Sequence, residues 1–263
     1  MKIIETEGIV LKTMDFKEKD IILTFLTRDV GKKVGILHGG KSMRSGNAAK
    51  AELFVLNHFE FFEKMNNDLV RIKKCELLDS FKPLRRNYLN FLYANYFSEL
   101  LLKCEIPEEE SMSYFESFKK SISEISNNSD GIKTKFDFEI NLMKFLGIVP
   151  QLDSCIKCSI DIWKLFSEKK LLSTYSNFYQ LDSSLGGIRC PKCRIVDSTV
   201  TDLTPGSMAF FYSSQKKDQN NSLVKPTLKN LRELDKAFYI YLRYFFGKDL
   251  KSHAILKENL WKN

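Results

Sequence analysis

The chain has 263 residues, of which 43% are hydrophobic and 28% are charged, an ordinary balance for a folded protein with two or three small domains. It contains no apolar run of about 18 residues and no signal-peptide pattern at its start, so we expect a cytoplasmic protein without a transmembrane helix. The formal net charge of +8 favours a polyanionic partner, most often nucleic acid.

Short strands are predicted throughout the first eighty or so residues. The predicted strands are residues 7–13, 20–27, 33–38, 53–62 and 69–77. Each is rich in β-branched or aromatic residues, and turn residues separate them. Five closely spaced strands are what a small closed barrel needs. The pattern favours an OB-fold, whose open face often binds single-stranded nucleic acid, and an SH3-like barrel fits the strand count nearly as well.

A basic loop, residues 39–47, lies between the third and fourth predicted strands. Only one acidic residue, Asp29, lies between residues 28 and 50. Lysine, arginine and serine side chains on a glycine-rich loop suit sequence-independent contacts with phosphate oxygens. We predict phosphate contacts from Lys32, Lys33, Lys41 and Arg44, supported by Arg28 and Lys50. The alternative is a solvated hairpin loop whose charges serve solubility.

The hydrophobic period changes to that of helices after the barrel. Helices are predicted at residues 86–104, 112–125 and 136–146, and Gly147 is the expected C-cap of the third. Further helices are predicted to start at Pro205 and Pro226, and the last should end at Gly247. Residues 163–180 are read as short and prone to β structure.

Four cysteines fall in two C-x-x-C pairs, Cys155 with Cys158 and Cys190 with Cys193. Two such pairs complete a tetrahedral, all-sulfur shell that suits one Zn²⁺ ion. The shell leaves no vacancy for substrate or water, so the predicted zinc ion is structural. Two disulfides or four unrelated thiols are the alternatives, and nothing else in the chain indicates an oxidising compartment.

The sequence lacks a recognisable catalytic constellation. The three histidines, His38, His58 and His253, lie far apart in the sequence, and no Gly-x-Ser-x-Gly or His-x-x-x-His motif occurs. Gly40-Lys41-Ser42 is not a P-loop, because the required earlier glycine is missing. We therefore expect a protein that is not an enzyme. A zinc-dependent hydrolase, the enzymatic alternative, would need a vacant position on the metal.

The order of these features resembles the bacterial RecO recombination-mediator family. The likeness is carried by residues 7–12 and 19–27 at the start, by His38-Gly39-Gly40-Lys41, and by residues 147–152 before the first cysteine pair. Residues 186–193, which end in the second pair, and residues 244–252 also resemble the family pattern. No single motif is unique, but their order and spacing are specific.

The resemblance implies an α+β protein: an N-terminal OB-fold barrel and a helical C-terminal domain with an inserted four-cysteine zinc finger. The predicted domains are residues 1–80 (barrel), 81–150 and 201–263 (helical) and 151–200 (zinc finger). It also implies binding of single- and double-stranded DNA, strand annealing, and RecA loading with RecR onto DNA coated by single-stranded-DNA-binding protein, at the bacterial nucleoid. The alternative is a zinc-stabilised RNA-binding or protein-interaction module without annealing activity.

Overall fold

The computed structural model describes residues 2–43, 46–63, 69–127, 130–167, 178–216 and 225–261. The chain forms two compact units, one joining Met1–Phe138 to Lys251–Asn263 and the other comprising Glu139–Leu250. The two units meet at residues 138/139 and 250/251, whereas the sequence predicts domain boundaries at residues 80, 150 and 200. Those domain boundaries stay a prediction. In the described ranges, no helix is both long enough and apolar enough to cross a bilayer.

Five strands of the first unit close into a barrel in the order β1-β2-β3-β5-β4. They are β1 (Lys2–Phe16), β2 (Asp20–Thr27), β3 (Lys32–Leu37), β4 (Leu56–Glu63) and β5 (Leu69–Asp79). Neighbouring strands are antiparallel except β3 and β5, which are parallel. The predicted five-stranded sheet is confirmed. The fourth strand begins at Leu56 instead of Leu53, because Phe54 has a left-handed φ of 66° that interrupts the extended backbone.

The long strand β1 pairs with two neighbouring strands along different parts of its length. Its first half pairs with β4 and its second half with β2, and the register with β2 shifts between Val10 and Lys12. Such a bulge bends a strand, which helps the sheet to close. Gly8 lies against an aromatic ring of the core. A Cβ at this position would be only 2.9 Å from the Phe59 ring, so a larger residue would clash. Phe59 stacks on Phe25 with ring centroids 4.2 Å apart, and both are fully buried in the barrel core.

The first unit also contains helices, and the first three of them contact barrel strands. They are the short α1 (Asn47–Lys50), α2 (Tyr88–Lys103), α3 (Ser111–Ser126), the start of α4 (Gly131–Phe145), and α8 (Lys251–Leu260). Ser98 donates a hydrogen bond to the Leu11 carbonyl, and Ser111 donates one to the Thr27 carbonyl, so two buried hydroxyls tie helices to strands. The α1 turn was not predicted, and a separate C-terminal helix that returns to pack on α2 was missed as well.

The second unit combines a small sheet with helices. Its strands are β6 (Tyr179–Asp182), β7 (Gly187–Arg189) and β8 (Val200–Leu203), in the order β7-β6-β8. Its helices are the end of α4, α5 (Ile162–Ser167), α6 (Pro205–Lys216) and α7 (Leu228–Phe246), and α7 packs against β8. The helix α7 starts with a capping box formed by Thr227 and Asn230 and ends, as predicted, at Gly247 with a left-handed φ of 63°.

One prediction in the second unit is wrong. The segment read as β-prone begins with a helical turn, α5, because the Asp161 carboxylate accepts hydrogen bonds from the backbone N–H groups of Trp163 and Lys164 at 2.8 and 2.9 Å. An aspartate at this position is a strong N-cap signal. Residues 168–177, the central part of the predicted segment, lie outside the described residues.

Candidate metal centre and basic surface

The four cysteines predicted as metal ligands meet at one point of the second unit. The sulfur atoms of Cys155, Cys158, Cys190 and Cys193 all lie within 4.8 Å of one another. The Cys158 and Cys190 sulfurs, which come from different pairs, are 3.8 Å apart. Among the described residues, no other group of histidine, cysteine and acidic side chains has this geometry. The cluster can hold a metal ion, as the spacing predicted.

Backbone hydrogen bonds hold the two pairs in place. The Ile156 N–H donates to the Ile188 carbonyl, and the Cys190 N–H donates to the Cys155 sulfur at 3.3 Å. Burial alone would raise the pKa of Cys155, but backbone N–H groups of Cys190, Cys158 and Lys157 point at its sulfur and lower the pKa to about 7. At Cys155 this environment favours the thiolate form, which is the form that binds metals. At Cys190 and Cys193 burial instead raises the pKa.

A buried ion pair supports the hairpin that carries the second cysteine pair. The Arg189 Nε donates to the Asp182 Oδ2 at 2.7 Å, and neither side chain is more than 9% exposed. Burial raises the pKa of Asp182, but hydrogen bonds from Ser184, Arg189 and the Leu185 N–H outweigh it and lower the pKa below its ordinary value. Asp182 ends β6 and Arg189 ends β7, so their bond fixes the strand that leads into Cys190.

The structure gives Lys32 another role than phosphate binding. Its ammonium group donates to the carbonyl oxygens of Leu101, Leu102 and Cys104 at 2.9, 2.9 and 2.6 Å. These carbonyls lie at the C-terminal end of α2, where a positive charge is favourable. An ammonium has three donors, and all three are used. Burial lowers the pKa of Lys32, since desolvation disfavours the charged form.

We predict that Lys32→Ala lowers the free energy of unfolding by about 1–3 kcal/mol, because it leaves the end of α2 without its donors. The same variant should leave the salt dependence of DNA binding unchanged. Thermal unfolding and a salt titration of binding measure the two effects, with Lys133→Ala, at an exposed lysine of the first unit, as the control. A lysine that binds phosphate would instead change the titration and spare the unfolding temperature.

Three other residues predicted to contact phosphate, Arg28, Lys33 and Lys50, have partners within the protein. Arg28 faces Glu116 of α3 at 3.8 Å, and Lys33 pairs with Glu63 at 2.5 Å. Lys33 is only 17% exposed and also lies 3.5 Å from Glu108, so acidic neighbours already neutralise it. The Lys50 ammonium donates to the Asn47 side chain at 3.1 Å. Arg44 lies outside the described residues.

Lys41 has neighbours that sequence reasoning missed. Its backbone N–H donates to the Lys19 carbonyl at 3.1 Å, and its ammonium reaches the Lys17 carbonyl and the Asp15 carboxylate at 3.4 and 3.0 Å. Lys17 and Lys19 are exposed and lie on the turn between β1 and β2. We call Lys17, Lys19 and Lys41 the basic tip of the barrel.

The barrel topology explains the basic tip. Since β2 pairs antiparallel with both β1 and β3, the β1–β2 turn and the loop after β3 lie at the same end of the barrel. The Asp20 carboxylate starts β2 and holds that loop, accepting from the Gly39 N–H at 2.9 Å and from His38 at 3.0 Å. The Gly39 hydrogen bond, aided by His38, lowers the pKa of Asp20.

A row of five apolar side chains and one arginine crosses the outer surface of the barrel. Cross-strand pairing places its members side by side in the order Met14, Ile22, Ile36, Arg71, Phe62 and Ile3. Met14 and Ile3 are 52% and 51% exposed, and the apolar side chains between them are partly exposed. Phe59 and Phe61, from the same strand as Phe62, are fully buried in the core. We call the six cross-strand neighbours that begin at Met14 and end at Ile3 the outer row.

A five-stranded barrel followed by a helical region with four clustered cysteines agrees in outline with the architecture that the resemblance implies. Residues 1–81 match the family described as recombination protein O, N terminal, and residues 85–254 match recombination protein O, C terminal. The chain belongs to the RecO family, which confirms the resemblance found in the sequence.

Relatives that match almost end to end support the assignment. A DNA repair protein RecO of Syntrophus aciditrophicus is 24% identical over 258 residues, covering 97% of this chain and 95% of the relative. Those of Listeria monocytogenes serotype 4b and Caldanaerobacter subterraneus are each 26% identical. They cover 98% and 96% of this chain and 95% and 96% of their own lengths. The family relationship supports a role in DNA repair.

Proposed function

We propose that this protein is a recombination mediator that binds single- and double-stranded DNA and anneals complementary strands. It helps RecA to load onto DNA coated with single-stranded-DNA-binding protein, in company with RecR, and catalyses no covalent step. The observation that carries the proposal is the basic tip on the end of a closed barrel, in a chain whose relatives are named DNA repair proteins. We place this activity in the bacterial cytoplasm, at the nucleoid.

We further propose that the barrel is an OB-fold. The closed five-strand order and the parallel contact between β3 and β5 support this assignment. In OB-folds the face of strands 2 and 3, together with the loop between strands 1 and 2, binds oligonucleotides. Here the same face carries Ile22 and Ile36 of the outer row, and the same loop carries Lys17 and Lys19.

The charges of the basic tip suit the first step of annealing. Two DNA strands repel each other through their phosphates, and clustered lysines lower that repulsion and release counterions. Lys17 and Lys19 are exposed. Lys41 forms an ion pair with Asp15, and water screens this pair strongly because Asp15 is highly exposed. A phosphate can therefore compete for Lys41 more easily than for Lys32 or Lys33.

We propose that the metal is one structural Zn²⁺ ion bound by Cys155, Cys158, Cys190 and Cys193. A Zn–S bond of about 2.3 Å in a tetrahedron separates neighbouring sulfurs by about 3.8 Å. The Cys158–Cys190 distance of 3.8 Å fits that edge. Four thiolates fill the shell, so the ion would supply stability to the second unit, with no position left for a substrate.

Annealing of complementary oligonucleotides tests the proposed function. We expect the purified protein to accelerate pairing of a labelled strand with its complement, both with the strand bare and with it coated by single-stranded-DNA-binding protein. A scrambled second strand is the control. A protein that binds RNA better than DNA, or binds DNA without accelerating pairing, would instead support the alternative of a binding module.

A further inference from the structure

The six cysteines differ sharply in their access to solvent. Cys158 is exposed, whereas its cluster partners Cys155 and Cys190 are 1% and 2% exposed and Cys193 is intermediate. The remaining two cysteines, Cys75 and Cys104, are buried in the first unit. Cys158 is therefore the most exposed cysteine of the cluster.

The two cysteines outside the cluster are poor nucleophiles. Burial raises the pKa of both Cys75 and Cys104 to about 12, so they remain thiols at neutral pH. The thiolate, not the thiol, is the nucleophile that attacks peroxides. Cysteines that bind a metal are held as thiolates, which makes the cluster the reactive part of the chain.

Every other sulfur of the cluster lies within 4.8 Å of the Cys158 sulfur. The Cys190 sulfur is 3.8 Å away and comes from the other C-x-x-C pair, so the two atoms belong to segments that are distant in sequence. A disulfide needs a sulfur separation of about 2.0 Å, which a small movement of the exposed Cys158 turn can supply. Cys158 lies just before Ser159, whose left-handed φ of 58° marks a tight turn.

We propose that Cys158 is a site of peroxide oxidation and that Cys190 is its resolving partner. This inference rests on the proposed metal centre and is independent of DNA binding. The Cys158 thiolate attacks one peroxide oxygen, the O–O bond breaks, and sulfenic acid and hydroxide form. The Cys190 thiolate then attacks the Cys158 sulfur, forms the S–S bond and displaces a second hydroxide. Two thiolates are oxidised by two electrons, and one hydrogen peroxide is reduced.

Loss of two ligands is expected to release the ion. Only Cys155 and Cys193 remain as thiolates, and two sulfurs do not make a stable structural zinc shell. Backbone bonds between the pairs, such as the Ile156 N–H to the Ile188 carbonyl, do not depend on the ion. A dithiol reductant with added Zn²⁺ should therefore restore the centre.

Treatment of the zinc-loaded full chain with hydrogen peroxide tests the proposal. A chromogenic chelator follows zinc release, and mass spectrometry of quenched samples identifies the oxidised peptides. We expect zinc release to parallel a Cys158–Cys190 disulfide, with Cys75 and Cys104 unmodified. A first oxidation at any other cysteine, or disulfides that omit Cys158, would overturn the inference. A chain purified with no zinc at all would contradict the metal centre itself.

Two matched variants separate the role of Cys158 from a general effect of ligand loss. Cys158→His and Cys193→His both keep a set of three cysteines and one histidine, which is a common structural zinc shell. We expect peroxide to release zinc at least about tenfold more slowly from Cys158→His, since imidazole is not oxidised as a thiolate is. Cys193→His should remain as sensitive as the native chain. Equal protection by both variants would contradict the assignment. If either variant fails to bind zinc, the oxidised peptides of the native chain test the assignment instead.

Discussion

Replacing Cys190 with serine is expected to abolish metal binding by the cluster and to make the second unit unfold at a much lower temperature. Binding of Zn²⁺ to a structural site contributes about 10–16 kcal/mol in small zinc fingers, and a missing ligand forfeits a large part of it. The buried position of Cys190 leaves little room for water to replace the sulfur. Trp163 lies in the second unit and Trp261 in the first, so fluorescence of a Trp261→Phe background reports the second unit alone.

The control for this experiment is Cys75→Ser, which alters a buried cysteine of the barrel core outside the metal cluster. It should retain one metal ion per chain by elemental analysis and leave the Trp163 transition in place. A Cys190→Ser protein that keeps both its metal and its Trp163 transition would show that the cluster is not a structural metal site.

The second large effect is expected at the buried ion pair beside the cysteines. Asp182→Asn should lower the free energy of unfolding of the second unit by about 3–5 kcal/mol, because it leaves the Arg189 charge buried without its partner. Chemical denaturation followed by Trp163 fluorescence measures the loss. Glu76→Gln makes the same chemical change in an exposed pair with Lys74 of the first unit, and it should leave the Trp163 transition unchanged.

A double variant, Asp182→Leu with Arg189→Met, tests the physical reason. Removing both charges should recover much of the stability, since an apolar pair has no uncompensated charge. If the single and double variants were equally unstable, lost packing and not the unpaired Arg189 charge would explain the loss of stability.

The same carboxylate predicts a pH dependence. The pKa of Asp182 in the folded chain is lower than its ordinary value of 3.8, so the folded state binds this proton less readily than the unfolded state. Its contribution to stability is complete above about pH 4 and is lost as the pH falls through the folded pKa. Denaturation midpoints of the native chain should therefore fall on acidification, and Asp182→Asn should fall less steeply.

Local patterns predicted the elements whose signals lie in the sequence itself. The alternating strands of the barrel and the C-x-x-C spacing carry their own geometry, so the sheet and the cysteine cluster could be predicted. Gly247 likewise ends α7 because a left-handed residue terminates a helix. The helical turn at Ile162–Ser167 was missed because Asp161 was not read as a cap.

The basic surface could be predicted only in part, since the use of a lysine depends on its neighbours in space. Lys32 and Lys33 are close to Lys41 in sequence, but the fold supplies them with carbonyl and carboxylate partners. Lys17 and Lys19 belong to the turn predicted between the first two strands. Their closeness to Lys41 follows from the pairing of β2 with both of its neighbours, which a strand list alone does not reveal.

A salt titration of single-stranded DNA binding tests the central claim, that the basic tip gathers nucleic acid through its charges. The variant reverses Lys17, Lys19 and Lys41 to glutamate, and the control reverses the exposed Lys133, Lys229 and Lys257, which changes the net charge equally. Each lost phosphate contact should reduce the slope of log affinity against log salt by about 0.7. We predict a slope about two units shallower and much weaker binding for the tip variant only. Identical slopes for the tip and control variants would contradict the account.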